Sequence, residues 1–314
     1  MDSLVTIVAT FCIILIILFV PYFFFDRESM RLDEQTRALL PGNFVKLSDG
    51  YTHYELAGRD NGSIVVLIHG FSASSFVWDH TCPALIEAGF RVLRYDLYGR
   101  GYSDRPRVSY DDSLYDRQLL ELLSALSVDS PVDLVGLSMG GAIAIIFSAR
   151  HPELVKKLVL VDPAGYPVHI PLVGRIVRIP IVGDYLIQVL GNRVMVKEGR
   201  NSFHDDDKFD QFIQGFKAQM IYRGYKRAIL STLRNFNLSD QRQSYGTVGQ
   251  QGRPVLLFWG RNDRIIPFEN SDMIRDAIPE TVFHAIDNCG HIANFEKPEI
   301  VNPILVDFLS ERRS

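Results

Sequence analysis

The first residue of this chain that could do chemistry is a serine between two glycines. Ser138 lies in the stretch VDLVGLSMGG, after the apolar run Val132–Val135 and before small and apolar residues at helical spacing. A strand-to-helix turn of the form G-x-S-x-G is sharp and holds the serine hydroxyl clear of the chain. The N-terminal N–H groups of the helix that follows face developing negative charge. The motif therefore predicts a serine nucleophile at the end of a buried strand.

An aspartate and a histidine later in the chain could activate this serine. Asp263 follows the apolar run Leu256–Trp259, and His291 follows Val282–Ile286. A serine hydroxyl is a poor nucleophile at neutral pH, so a histidine must accept its proton and a carboxylate must hold the histidine tautomer. Serine, aspartate, histidine is one of the known chain orders of this triad. We therefore predict Ser138, Asp263 and His291 as catalytic residues.

Asp162 is a second candidate for the acid. It ends the strand predicted over Leu158–Val161 and could reach a histidine from there. Asp263 is preferred because it follows the penultimate strand, and Asp162 stays open as the alternative.

Attack on a carbonyl also requires hydrogen-bond donors for the oxyanion. The N–H of Met139, directly after the serine, is one candidate. The turn His69-Gly70-Phe71 follows another apolar run and offers the N–H of Phe71 as the second. Gly70 permits close backbone approach, and His69 is expected to brace this loop rather than to take part in the chemistry.

The elements that must position these residues alternate between strands and helices. A hairpin is predicted around Ser48-Asp49-Gly50, followed by buried strands alternating with helical patterns. Such alternation predicts an α/β fold with a mostly parallel sheet that helices cover on both faces. The alternation pauses between Asp162 and Val255, which indicates a helical insertion. We predict a core over residues 43–164 and 250–314, with a helical cap over residues 165–249.

The N-terminus predicts a membrane anchor. Residues 4–25 carry no charge and, as a helix, would span about 33 Å, enough for a hydrocarbon layer of about 30 Å. The run ends in Tyr22-Phe-Phe-Phe25, which is typical of an interfacial aromatic belt. We predict a transmembrane helix over residues 1–25, a helical juxtamembrane connector over residues 26–42, and a single-pass membrane location. Arginines after the span favour a cytoplasmic catalytic domain, and the side stays open.

The apolar part of the cap, residues 168–196, is predicted to form a substrate gate that faces the bilayer. Its apolar side chains are too numerous for a simple solvated lid, although packing on the core is the alternative. The residues concerned are Leu172, Val173, Ile176, Ile179, Ile181 and Val182.

Composition excludes several classes of function. The net charge is −4 with no long basic block, which predicts no nucleic-acid partner. The three cysteines Cys12, Cys82 and Cys289 form neither a disulfide framework nor a metal pattern. Gly99 and Gly101 lack the third glycine of a dinucleotide motif, because Asp104 stands in its place. We predict no cofactor and no metal.

From about Phe44 to its C-terminus, the chain resembles the α/β-hydrolases in a set of motifs. The motifs are His69-Gly70-Phe71, Asp96-x-x-Gly99-x-Gly101-x-Ser103, Gly136-x-Ser138-Met139-Gly140-Gly141, Gly260-x-x-Asp263 and Gly290-His291. The resemblance implies the α/β-hydrolase fold with a helical cap over the site. The apolar N-terminus together with S-M-G-G is similar to membrane-anchored monoacylglycerol lipases and carboxylesterases. This implies a serine hydrolase that cleaves small or lipid-like esters.

Three other functions stay open within this resemblance. A carbon–carbon bond hydrolase or an acyl-thioesterase would use the same triad, although Leu137 before the serine departs from the asparagine frequent in carbon–carbon hydrolases. A non-catalytic receptor or scaffold is disfavoured because every part of the triad is present.

Overall fold

The structure is a computed structural model that describes residues 2–168 and 172–311. It contains eight strands in chain order. They are β1 (Asn43–Leu47), β2 (Gly50–Gly58), β3 (Ile64–Ile68), β4 (Arg91–Tyr95), β5 (Val132–Leu137), β6 (Val155–Val161), β7 (Val255–Gly260) and β8 (Val282–Ile286).

The helices fall into three groups along the chain. Those before β6 are α1 (Asp2–Phe24), α2 (Glu34–Arg37), α3 (Cys82–Glu87), α4 (Asp112–Ala125) and α5 (Met139–Arg150). Those between β6 and β7 are α6 (Leu172–Ile176), α7 (Val182–Asn201), α8 (Asp206–Ala218), α9 (Tyr225–Asn235) and α10 (Arg242–Gly249). Those after β7 are α11 (Asn270–Ala277), α12 (Ala293–Glu296) and α13 (Pro298–Ser310).

All eight strands form one sheet in the order β1-β2-β4-β3-β5-β6-β7-β8. Strand β2 runs antiparallel to β1 and β4, and the pairs from β4 to β8 are parallel. The predicted hairpin and the mostly parallel sheet are therefore confirmed. Because the parallel strands share a direction, their carboxyl ends meet at one edge of the sheet, where ligand sites form in such folds.

Apolar residues on both faces of the sheet explain why helices cover both sides. In β3, Val66 and Ile68 belong to one buried cluster, whereas Val65 and Leu67 belong to another. Successive side chains of a strand point to opposite faces, so a continuous apolar run requires a cover on each. Helix α5, which follows Ser138, is almost entirely buried.

The segment between β6 and β7 forms the helical insertion that the sequence predicted. Helix α7 contacts both α8 and α9, and Ile187, Met195 and Phe212 are buried. Helix α10 contacts α5 and α11 of the core, and the Tyr245 hydroxyl donates to the Ala164 carbonyl at 2.9 Å. The domain boundaries at residues 164 and 250 remain a prediction.

The predicted transmembrane helix over residues 1–25 and the single-pass membrane location are wrong. Helix α1 does form over Asp2–Phe24, but in the part of the chain that the structure describes no helix has both the length and the apolar character to cross a membrane. Two of the aromatic residues near its end, Tyr22 and Phe25, contact the insertion. The ring of Tyr22 stacks on Tyr185 at 6.2 Å, and the Arg193 guanidinium lies 5.1 Å from the centre of the Phe25 ring.

A bilayer-facing role for the cap loses its basis with that location. Leu172, Ile179 and Ile181 are exposed to 70, 50 and 83 %. Residues 169–171 and the side chain of Val173 lie outside the described residues.

The connector over residues 26–42 is helical only at α2, where Asp33 caps the helix by accepting from the Thr36 N–H at 2.9 Å. The predicted longer helix does not form because the preceding residues bond to the insertion. Met30 pairs with Tyr222 in a parallel bridge. The Glu28 carboxylate accepts from the N–H of Gly224 at 2.7 Å and of Lys226 at 2.6 Å.

Candidate active site

Ser138 lies in the sharp turn between β5 and α5. Its φ is +54°, a strained value for a residue with a side chain, and its N–H donates to the Val161 carbonyl at 2.9 Å. A Cβ on Gly136 would collide with the Gly140 carbonyl oxygen, so the turn requires glycine there. Helix α5 begins at Met139, with Ser138 as the N-cap residue.

Ser138, His291 and Asp263 form a continuous chain of two hydrogen bonds. The distance from His291 Nε2 to Ser138 Oγ is 2.8 Å, and that from His291 Nδ1 to Asp263 Oδ2 is 2.7 Å. Because a carboxylate only accepts, Nδ1 carries the proton and Nε2 is free to accept from the serine hydroxyl. The Asp263 side chain is fully buried, and its Oδ1 accepts from the N–H groups of Ile265 and Ile266. The arrangement can deprotonate the serine hydroxyl as it attacks.

Asp162, the alternative acid, is occupied elsewhere. Its Oδ1 accepts from the Gly260 N–H at 2.7 Å and its Oδ2 from the Ala293 N–H at 3.2 Å. Burial, and then the nearby charge of Asp263, raise the pKa of Asp162 well above its ordinary value. Asp162 thus ties the end of β7 to the start of α12.

The loop after β3 lies against the serine. A Cβ on Gly70 would stand 3.3 Å from Ser138 Cβ, so only glycine allows this approach without a shift. His69 fixes the loop because its Nδ1 bonds to the Gly70 carbonyl at 2.8 Å and its Nε2 accepts from the Leu97 N–H at 2.9 Å. Burial lowers the pKa of His69 to about 4, so the ring is neutral. In the described residues the Phe71 N–H has no hydrogen-bond partner.

Sequence reasoning missed the side chains that hold this loop. The buried Arg100 donates from Nε to the Phe71 carbonyl at 2.7 Å. Two residues of the insertion donate to the next carbonyl along the loop, that of Ser72: Gln219 Nε2 at 2.9 Å and the Tyr225 hydroxyl at 2.8 Å. No motif marks these residues, since their targets are backbone carbonyls far away in the sequence.

The role of Glu296 in holding the histidine loop was also not predicted. Its Oε2 accepts from the Gly290 N–H at 2.7 Å, and its Oε1 accepts from the N–H groups of His204 at 2.9 Å and Asp205 at 2.7 Å. The His291 N–H donates to the Ser202 carbonyl at 2.7 Å. The segment between α7 and α8 is therefore bonded to the histidine loop. The spacing of five residues from His291 to Glu296 was the available signal.

The site contains no obvious place for a metal ion. Within residues 2–168 and 172–311, no group of three or more His, Cys, Asp and Glu side chains is arranged to hold one.

The fold and this geometry agree with a family match. Residues 65–304 match the model of the alpha/beta hydrolase family, and the chain belongs to that family.

Two of the curated relatives are named as hydrolases. A 2-hydroxy-6-oxononadienedioate/2-hydroxy-6-oxononatrienedioate hydrolase of Cupriavidus pinatubonensis is 30 % identical over 284 residues, covering 85 % of this chain and 94 % of its own length. A 2-hydroxy-6-oxo-6-phenylhexa-2,4-dienoate hydrolase of Comamonas testosteroni is 27 % identical over 281 residues, covering 85 % and 93 %. Among solved structures, the enol-lactonase of Burkholderia xenovorans superimposes with a TM-score of 0.73 at 23 % identity, covering 86 % of this chain and 100 % of that one.

Proposed function

We propose that this protein is a serine hydrolase that cleaves carboxylic esters through an acyl-enzyme on Ser138. Ser138 Oγ attacks the ester carbonyl while His291 Nε2 takes its proton, and Asp263 stabilises the imidazolium. His291 returns the proton to the leaving alcohol as the carbon–oxygen bond breaks. A water molecule, deprotonated by His291, then releases the acid and restores the serine.

The observation that carries this proposal is the pair of hydrogen bonds joining Ser138, His291 and Asp263, at 2.8 and 2.7 Å. The oxyanion would be held by the N–H groups of Met139 and Phe71. Met139 is the first residue of α5, where helix N–H groups have no partner within the helix. Gly70, one residue before Phe71, abuts Ser138.

The substrate class that we propose is an ester with an apolar acyl chain, of the monoacylglycerol type. Leu137 and Ile292 flank the serine and the histidine in sequence, and both are buried in the cluster that includes Met195 and Phe212 of the insertion. Each methylene of the acyl chain that such a surface shelters from water contributes about 0.8 kcal/mol to the free energy of binding. We therefore expect kcat/KM to rise with acyl length.

The insertion would then act as the gate for the acyl chain, without any role for a bilayer. The double variant Ile176→Ser with Ile179→Ser tests this, because Ile179 is half exposed and both changes replace apolar by polar surface. A flatter dependence of kcat/KM on acyl length is expected. A wild type that prefers acetate esters, or a variant with the wild-type profile, would contradict the gate.

A second candidate function is hydrolysis of a carbon–carbon bond. The curated relatives named above favour it, and an attacked ketone carbonyl would meet the same serine, histidine and oxyanion donors. One residue argues against it: carbon–carbon bond hydrolases often have asparagine before the serine, and this chain has Leu137 there.

A substrate panel separates the candidates. Purified protein is assayed with p-nitrophenyl esters, monoacylglycerols, acyl-thioesters and a 2-hydroxy-6-oxodienoate, with Ser138→Ala as the blank. The proposal predicts that long-chain esters give the highest kcat/KM. A higher kcat/KM for the dienoate or for a thioester would replace it, and no turnover of any substrate would favour a receptor or scaffold.

A further inference from the structure

An open pocket of about 300 Å³ lies where four segments of the chain meet. These are the N-terminal segment around α2, the turn between β1 and β2, the loop after β4, and the turn before α9. None of its lining residues belongs to the Ser138 site. The lining consists of Arg31, Leu32, Arg37, Asp49, Asp104, Arg105, Pro106 and Arg223, and we call it the arginine pocket.

Both carboxylates of the arginine pocket are already bonded. Asp104 Oδ1 accepts from Arg37 at 2.7 Å, and its Oδ2 accepts from the Tyr51 N–H at 2.8 Å. Asp49 pairs at 2.6 Å with Arg117, which lies outside the lining. Of the four arginines in the lining, only Arg37 therefore has a carboxylate partner among the residues at 2–168 and 172–311.

Arg105 stands out among the remaining three. Its two terminal nitrogens donate to the carbonyls of Ser103 and Gly101, and its guanidinium lies 5.4 Å from the centre of the Tyr222 ring. Its Nε is buried without a hydrogen-bond partner in the described structure. Burial lowers the pKa of Arg105 to about 10, against the pull of the surrounding acids. A partly buried cation that lacks a carboxylate partner is stabilised when an anion binds beside it.

Charge also favours an anionic ligand. Four guanidinium groups and two carboxylates line the pocket, which leaves a surplus of two positive charges, although the whole chain carries −4. Arg31 and Arg223 are exposed, so both can turn toward a ligand. Guanidinium groups donate through two parallel N–H groups, a geometry that matches phosphate oxygens.

We propose that the arginine pocket binds the dianionic phosphate group of a small molecule. Arg105 supplies the fixed charge at the base, and Arg31 and Arg223 close on the phosphate from the N-terminal segment and from the insertion. This proposal does not depend on the activity proposed for Ser138, because binding is measured without turnover.

Phosphate binding would tie the insertion to the rest of the chain. The Met30 N–H already donates to the Ile221 carbonyl at 3.0 Å, and the Arg223 N–H donates to the Met30 carbonyl at 2.9 Å. A ligand held by Arg31 and Arg223 adds a further link between these segments. We therefore expect the melting temperature to rise with phosphate, by mass action on the folded state.

The test is calorimetric titration of the full chain with inorganic phosphate at constant ionic strength, with thermal melting in parallel. Wild type is compared with Arg31→Gln combined with Arg223→Gln, which removes two exposed charges. The matched control, Arg59→Gln combined with Lys197→Gln, removes two exposed charges outside the pocket.

We expect saturable binding in wild type and in the control, and binding weakened by roughly tenfold or more in the pocket variant. A second series uses glycerol phosphate and dihexanoyl phosphatidic acid, the latter below its micelle concentration. Tighter binding of the phosphatidic acid identifies a lipid phosphate as the ligand, and equal binding identifies a water-soluble one. Absence of saturable binding in wild type, or equal affinities in the pocket variant and the control, would overturn the proposal.

Discussion

The Glu296 carboxylate accepts a hydrogen bond from the Gly290 amide at 2.7 Å, one residue before the histidine that contacts Ser138. Its other oxygen accepts from two amides of the segment between α7 and α8. Glu296 is fully buried, so these bonds are shielded from water. A single side chain therefore joins the histidine loop to the insertion.

Replacing Glu296 by glutamine is expected to misplace His291 without removing it. One carboxylate oxygen becomes an NH₂ group, which would face an N–H donor, and a buried unmatched donor costs about 1–3 kcal/mol. We expect kcat to fall about tenfold or more with a smaller change in KM. The exposed Glu299→Gln is the matched control. A Glu296→Gln enzyme with wild-type kcat would show that these bonds do not position the histidine.

The two buried aspartates are expected to differ in what they support. Asp263→Asn should lower kcat by about 10⁴, by analogy with the wrong-tautomer effect in serine proteases. Asp162→Asn should mainly lower the melting temperature, because Asp162 accepts only from the amides of Gly260 and Ala293. Steady-state kinetics and thermal melting of both variants check this. The reverse pattern would make Asp162 the catalytic acid.

Tyr225 is expected to act on the reaction through the oxyanion loop. Tyr225→Phe removes only the hydroxyl that donates to the Ser72 carbonyl at 2.8 Å. The loop that carries Phe71 then loses one of its two bonds from the insertion, and we expect kcat to fall several-fold with KM nearly unchanged. Tyr95→Phe is the control, because the buried Tyr95 hydroxyl has no partner in the described structure. Equal kcat values in the two variants would refute this role.

Stability is expected to depend on pH through His53. Its Nδ1 lies 2.8 Å from Asp96 Oδ2 and its Nε2 lies 3.0 Å from the Pro41 carbonyl, so both ring nitrogens face acceptors. Burial opposes the charged ring, but the charge and hydrogen bond of Asp96 outweigh it and raise the pKa of His53 above 6.5.

Because folding raises the pKa of His53, charged His53 stabilises the folded state. This stabilisation is complete below about pH 6.5 and is lost as the pH rises through the pKa of His53 in the folded protein. The free energy of unfolding falls by about 1.4 kcal/mol in total for each unit by which folding raises the pKa of His53. Urea unfolding between pH 5.5 and 8.5 should show this slope in wild type and in the exposed control His204→Gln. His53→Gln should remove it, and an unchanged slope in that variant would assign the effect to another group.

The core of the fold and the placement of the candidate triad were predictable because the signals are local. Apolar runs bounded by glycine mark strands that end in a turn, and Ser138, Asp263 and His291 each follow such a run. Strand β6 begins at Val155, whereas the sequence predicted it only from Leu158. The earlier part of the strand contains the buried Lys157, whose Nζ donates to the carbonyls of Phe308 and Leu309. Those carbonyls are about 150 residues away and leave no local mark.

The contacts of the candidate site that the sequence did not predict also join residues that are far apart in the chain. The bond from Tyr225 to Ser72 spans 153 residues and that from His204 to Glu296 spans 92, and both end on backbone groups that every residue has. The N-terminal prediction failed for a related reason. Length, apolar character and the terminal aromatic residues were the signals used for residues 1–25, and none of them reveals the contact of Tyr22 with Tyr185.

The most direct test of a nucleophilic Ser138 is covalent labelling with a fluorophosphonate, followed by mass spectrometry of the digested protein. The geometry predicts one phosphonylated peptide carrying the label on Ser138, with no label in Ser138→Ala and strongly reduced labelling in His291→Ala. Thermal melting of both variants confirms that they are folded. Labelling at another residue in wild type, or undiminished labelling of folded Ser138→Ala, would contradict the assignment.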